Sequence, residues 1–291
     1  MTAFGLRAAA SAAIAGLCAR AAGAGEAALT GAGAGASSVS SNRDIAVSGS
    51  NGANWGSGGG GAYGPASGGS GVQGAVVLVN TGAKPLTINA GSGKVTVTGN
   101  VSDLSTFTVS SSSALNAISG VISGSGALVK NGTGTLTLNG RSTYSGATTV
   151  NSGVLKIATT GALYDSASIT SSASAITTVN AGGVLELTNW GWAGTGGLGQ
   201  RYYDANALVI NGGTLRYSGA SDISSSRGFT VTASGATLES ATASVTWGFA
   251  DGGGTYTPVF NGNVTFAGVG NFIFGHVIAG ARTVTKNGSG A

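Results

Sequence analysis

A leucine closing a short glycine-led segment returns along this chain at Leu155, Leu185, Leu215 and Leu238. The segments read GVLKI, GVLEL, GTLRY and, more loosely, GATLES, and the leucines lie 30, 30 and 23 residues apart. Each segment alternates apolar and polar residues, the period of a half-buried strand. An asparagine precedes the first three, at Asn151, Asn180 and Asn211. A strand of this length cannot bury its own apolar face, so a strand that recurs in register implies stacked copies of one supersecondary unit.

The rest of 74–291 has the same character. AVVLVN, LTINA, KVTVTGN, FTVSS, ALVKN, TLTLNG, VLELTN, ALVING, NVTFAG and NFIFG are short, rich in Val, Thr, Leu and Ile, and bounded by Gly, Asn or Ser. These are strand signals separated by turn signals. None shows the i, i+3, i+4, i+7 spacing of an amphipathic helix. A longer self-match exists: ISGVISGSGALVKNGTG, ending at Gly134, lies over the stretch ending TVTKNGSG at Gly290, at a constant offset of 156 residues. It sets Lys130, Asn131, Gly132 and Gly134 on Lys286, Asn287, Gly288 and Gly290 and predicts an incomplete second copy starting near residue 279. An all-β solenoid follows, with inward Leu, Val and Ile in a continuous column and alternating Thr and Ser facing water. A β-sandwich also uses short strands at close spacing, but the register-preserving repeat favours the solenoid.

Composition excludes other classes. Glycine accounts for 55 of 291 residues, yet there are 3 prolines, 42% hydrophobic residues and 8% charged ones. Disordered chains carry less apolar and more charged sequence, and collagen needs Gly at every third position with abundant Pro. The net charge of +4 comes from 13 basic residues scattered singly against 9 acidic ones, so no basic stripe points to nucleic acid. Residues 1–27 have the pattern of a weak secretory signal peptide and contain Cys18, the chain's single cysteine. Residues 28–73 are Gly/Ala/Ser-rich and read as a flexible segment.

The stretch SGSGALVKNGTGTLTLNGRSTYSGATTVNSGVLKIA (123–158) resembles the autotransporter-associated β-strand repeat. The fit is carried by Lys130, Gly132, Gly134, Leu136, Leu138, Gly140, Tyr144, Gly146, Gly153 and Leu155, while Ser142 stands where that repeat usually has Asn. The resemblance implies a right-handed parallel β-helix, exported as a passenger to the bacterial cell surface, remaining there with the outer membrane or released. It implies a structural, display or adhesion role, with host or neighbouring-cell surface proteins or glycans as partners. It also implies an outer-membrane translocator barrel, which this sequence does not contain. A chain that stops inside a repeat reads as a piece of a longer passenger.

Parallel β-helices also host polysaccharide-active enzymes, and that is the rival expectation. Glycoside hydrolysis needs two facing carboxyl groups. Asp165 with Glu186, and Asp204 with Asp222, are too close in sequence to match the 30-residue leucine interval, so catalysis is not expected. His276 has no second His for a dyad or metal site, and ADGGGTY (250–256) lacks the repetition of calcium-binding solenoids, so neither metal nor cofactor is expected. The segment 188–208 breaks the strand pattern and holds Trp190, Trp192, Tyr202 and Tyr203; with Trp247 in the smaller stretch 246–256 these form a candidate interaction surface, a carbohydrate-binding module being the alternative function. The competing reading is that the rings fold back over the coil stack.

Overall fold

Segments of alternating Leu or Val with Thr become strands because one face can be buried while the β-branched residues fit the pleat. The computed structural model describes the backbone of residues 25–32, 38–41, 45–51, 54–55 and 73–80, and then 84–291 except 103, 166–173, 191–195, 200–203, 226, 250–257, 276–277 and 279.

Two sheets run along the stack. Sheet A holds, as parallel neighbours, β7 (Lys94–Val97), β9 (Asn116–Ile118), β11 (Thr135–Leu138), β13 (Gly153–Ile157), β15 (Gly183–Leu187), β17 (Thr214–Tyr217), β20 (Ala236–Ser240), β23 (Val264–Gly268) and β25 (Val284–Lys286). Sheet B holds β6 (Lys84–Asn89), β8 (Leu104–Ser110), β10 (Ala127–Asn131), β12 (Thr148–Val150), β14 (Thr177–Asn180), β16 (Leu208–Asn211), β19 (Thr230–Val231) and β22 (Val259–Phe260). The chain alternates between the sheets, and each strand pairs in parallel with its equivalent one coil away. This is a parallel β-helix, as the repeat predicted. A third sheet, C, joins β18 (Ile223–Ser225), β21 (Thr246–Phe249) and β24 (Asn271–Phe274), so the later coils gain a third side.

The leucine register is the register of sheet A. Leu136, Leu155, Leu185, Leu215, Leu238 and Phe266 stand opposite one another in successive strands, and all five leucines are fully buried. Beyond Leu187 the core turns aromatic. Trp190, Trp247, Phe229, Phe249 and Phe260 are buried, with neighbouring ring centroids such as Trp247–Phe249 at 4.7 Å. The third side widens the coil, and larger rings fill it to the density an interior requires.

Three features stand beside the sequence reading. Residues 28–73, expected to be flexible, contribute strands: β1 (Gly25–Ala32), β2 (Ser38–Ser41), β3 (Ile45–Asn51) and β4 (Asn54–Trp55). With β5 (Gln73–Asn80) they pair antiparallel, β1 lying between β5 and β7 and β2 against β6. Parallel pairing among the described strands starts at β6. A first coil has unpaired edges, and any chain free to pair will cover them. Second, the alternating threonines do not all face water. Thr148 and Thr177 are buried in the inner column that Leu128 and Leu208 also occupy. There Thr148 Oγ1 bonds the hydroxyls of Tyr144 and Tyr164, which buried phenols require. Third, the predicted second copy near 279 enters at a different phase. Lys130 lies on β10 in sheet B, whereas Lys286 lies on β25 in sheet A. The local turn recurs, with Gly132 at φ +76 and Gly288 at φ +88. Local sequence sets such a turn, but which strand follows it depends on core contacts.

Candidate interaction edge

The two kinds of connection differ throughout the stack. From sheet B to sheet A the chain turns within residues 132–134, 151–152, 181–182, 212–213, 232–235 and 261–263. From sheet A to sheet B it takes 158–176, 188–207, 218–229 and 241–258 in consecutive coils. The longer connections therefore all fall on the sheet A to sheet B side of the coils, where 218–229 and 241–258 carry β18 and β21 of sheet C, and both aromatic stretches singled out in the sequence fall within them. Insertions carried on one side of a solenoid commonly form its binding face.

The opposite, tight edge is fixed by an asparagine ladder. Asn151 Nδ2 donates to Asn131 Oδ1 at 2.9 Å, Asn180 Nδ2 to Asn151 Oδ1 at 2.8 Å, and Asn211 Nδ2 to Asn180 Oδ1 at 2.9 Å. Thr232 Oγ1 closes the row on Asn211 Oδ1 at 2.8 Å. Gly153 sits in this turn at φ +66, and a Cβ there would lie 2.4 Å from Gly134 O. Gly134, Gly140 and Gly146 are as tightly placed against the coil before them. These motif glycines allow backbone to approach backbone, which is more than turn formation.

Lys130 fills the inner column of sheet B, level with Val109 and Val150, and is fully buried. Its Nζ donates to Asn131 O at 2.8 Å, Gly132 O at 2.7 Å and Ser152 O at 3.1 Å. Burial lowers its pKa to about 8. The motif lysine thus ties two successive turns together. Leu136, Leu138, Tyr144 and Leu155 are core residues.

The candidate aromatic surface divides. Trp190 and Trp247 are both 0% exposed and stack edge to face, centroids 5.3 Å apart, inside the coil. Neither indole reaches a surface ligand. Both rings belong to one buried aromatic cluster, with Trp190 packing on Trp247 and Phe249 and Trp247 packing on Phe249. Trp192, Tyr202 and Tyr203 lie outside the described residues, as does His276. The base of the 188–208 excursion folds onto the stack. Gly197 N donates to Asn189 O at 2.9 Å, Leu163 N to Gly197 O at 2.8 Å, and Leu198 is buried. Arg227 Nη2 donates to Gly199 O at 2.9 Å from a buried position that lowers its pKa to about 9.

A feature missed in the sequence crosses the outer face of sheet A. Lys156, Glu186, Arg216 and Glu239 occupy one register position in four successive coils. Lys156 Nζ lies 2.6 Å from Glu186 Oε1, Arg216 Nη1 3.2 Å from Glu186 Oε2, and Arg216 Nε 2.9 Å from Glu239 Oε2. Burial alone would raise the Glu186 pKa, but hydrogen bonds from Lys156, Ser218 and Arg216 outweigh it and hold the carboxyl below its ordinary value. The signal was the residue after each recurring leucine, read K, E, R, E. Pairs of acids neighbouring in sequence do not reveal it, since Glu186 and Glu239 are two coils apart with Arg216 between them. Asp165 is bound bidentately by Arg141, Asp204 accepts from Asn206 N, and Asp222 accepts from Thr246 N.

Residues 128–157 match the family model of the passenger-associated-transport-repeat. Over 196 residues, 64% of this chain, the sequence is 33% identical to the adhesin BmaC autotransporter of Brucella suis biovar 1 (strain 1330). The aligned stretch spans 4% of that relative's length. No solved structure matches. The matched repeat contains Lys130, Gly134, Gly140, Gly146, Gly153 and Leu155, the residues whose packing holds these coils together, and over it the chain is similar to autotransporter passengers.

Proposed function

We propose that this chain is a surface-exposed length of an adhesive passenger, in which the β-helix is a non-catalytic scaffold and the insertion edge makes the partner contacts. One observation carries the reading: in four consecutive coils the longer connection is the one from sheet A to sheet B, so the added length falls on one side of a regular stack. The relative's description as an adhesin supports the role. The scaffold role is supported by the carboxylates of Asp165, Glu186, Asp204, Asp222 and Glu239, each bound in a structural contact. Cell-surface proteins and glycans are the partner classes that a low-charge edge with aromatic loops suits. The test compares binding of the chain to glycan arrays and host-matrix proteins with that of a variant in which 191–195 and 250–257 are replaced by Gly/Ser linkers of equal length. Binding should fall at least about tenfold with the thermal transition kept. Undiminished binding, or turnover of a polysaccharide, rejects the proposal.

A further inference from the structure

The charged ladder on sheet A is complementary to its own reverse. Along the stack it reads plus, minus, plus, minus at Lys156, Glu186, Arg216 and Glu239. Set a second copy face to face with its stack running the same way, and every charge meets its like. Turn that copy by a two-fold axis lying along the strands, between Glu186 and Arg216. Lys156 then faces the second copy's Glu239, and Glu186 faces its Arg216, so every charge meets its opposite. Three of the charges are partly exposed, with side-chain exposure of 36% at Lys156, 27% at Arg216 and 24% at Glu239, while Glu186 lies deeper at 11%.

The remainder of this face suits sheet-on-sheet contact. Beside the ladder runs a second outward column, Thr135, Val154, Val184, Thr214, Thr237 and Thr265, uncharged and entirely β-branched. Thr137 precedes the ladder and Ala267 follows it, both uncharged, and the same two-fold axis brings them together. We infer that a second copy of this chain docks antiparallel on the outer face of sheet A, oriented by the Lys156–Glu186–Arg216–Glu239 ladder. Exposed ion pairs add little affinity, so the ladder selects orientation while the flat Thr/Val column supplies contact. Eight strands about 4.8 Å apart, each about 14 Å wide, give roughly 500 Å² per partner, the small end of specific interfaces. The pair is therefore weak and reversible, with dissociation in the micromolar range or above. The inference goes beyond the adhesive reading and uses none of the insertion edge.

The test uses the full chain with Cys18→Ser. Sedimentation up to about 500 µM should show a monomer–dimer equilibrium that weakens with salt. Thr137→Cys and Ala267→Cys proteins, mixed and oxidised mildly, should give the 137–267 cross-link at least about tenfold above 137–137. A third arm inverts the ladder: Lys156→Glu, Glu186→Lys, Arg216→Glu and Glu239→Lys together keep alternation within one chain. That variant should pair with itself and lose at least about tenfold in pairing with the wild type. A monomer throughout the range, predominant 137–137 cross-links, or mixed pairs as strong as like pairs overturns the inference. The cysteine arm stands without the inverted chain, whose folding is checked by circular dichroism.

Discussion

Lys130 illustrates how a single residue links repeat to fold. It occupies a position that Val109 and Val150 fill in adjacent coils, and its ammonium satisfies three turn carbonyls. The sequence placed Lys130 in the motif; it did not place it indoors, because charge usually marks a solvated position. Burial lowers its pKa from 10.5 to about 8. Between those values the folded chain binds fewer protons than the unfolded one, so stability rises with pH across that window and is lower below it. Lys130→Met should remove that slope. At pH 7 it should also cost about 1–3 kcal/mol, since three carbonyls lose a donor. Denaturant unfolding of both proteins from pH 7 to 10 checks this. Parallel slopes would show that the ammonium is solvated.

At the scale of elements, side-chain ladders hold adjacent coils in register where backbone pairing alone would allow slippage. Asn180 is the central rung of the asparagine row, donating to Asn151 and accepting from Asn211. Asn180→Ala leaves an orphan acceptor on one side and an orphan donor on the other, and should cost about 1–3 kcal/mol. Adding Asn151→Ala should cost less than the sum of the single changes, because both remove the same bond. Strict additivity in thermal unfolding would mean the amides are bonded to water instead. This ladder was half legible in the sequence: the asparagines before the repeating strands were visible, and the leucine intervals gave the register that joins them. The charged ladder needed the same register applied one residue later. Sheet C was legible only at NFIFG, which becomes β24. Its other strands, β18 and β21, sit in different connections, and a segment such as TWGF carries no alternation that marks it as paired. For the same reason the sequence left Trp190 and Trp247 between a surface patch and a cover over the stack, and it is the third side that encloses them.

For the whole molecule, the stack makes stability a sum of coil terms and nearest-neighbour interfaces. The two ends of that stack differ in how they are filled. Around β8 the core is aliphatic with Phe107, whereas around β21 Trp247 contacts Trp190, Tyr217, Phe249 and Phe272. Trp247→Ala removes a fully buried indole from that cluster, and a cavity of this kind costs about 3–5 kcal/mol where the site cannot collapse. In a globule with one core the loss would be felt everywhere. In a stack, the coils around β6, β8 and β10 share no direct contact with Trp247, so opening can stay local. Native-state hydrogen exchange should therefore show protection falling by about 3 kcal/mol or more for amides of β16 to β24, and by less than about 1 kcal/mol for those of β6 to β10. Phe107→Ala should give the mirror pattern. An equal loss along the whole stack in either variant would mean that the coils unfold as one unit, and the nearest-neighbour account of this β-helix would fail.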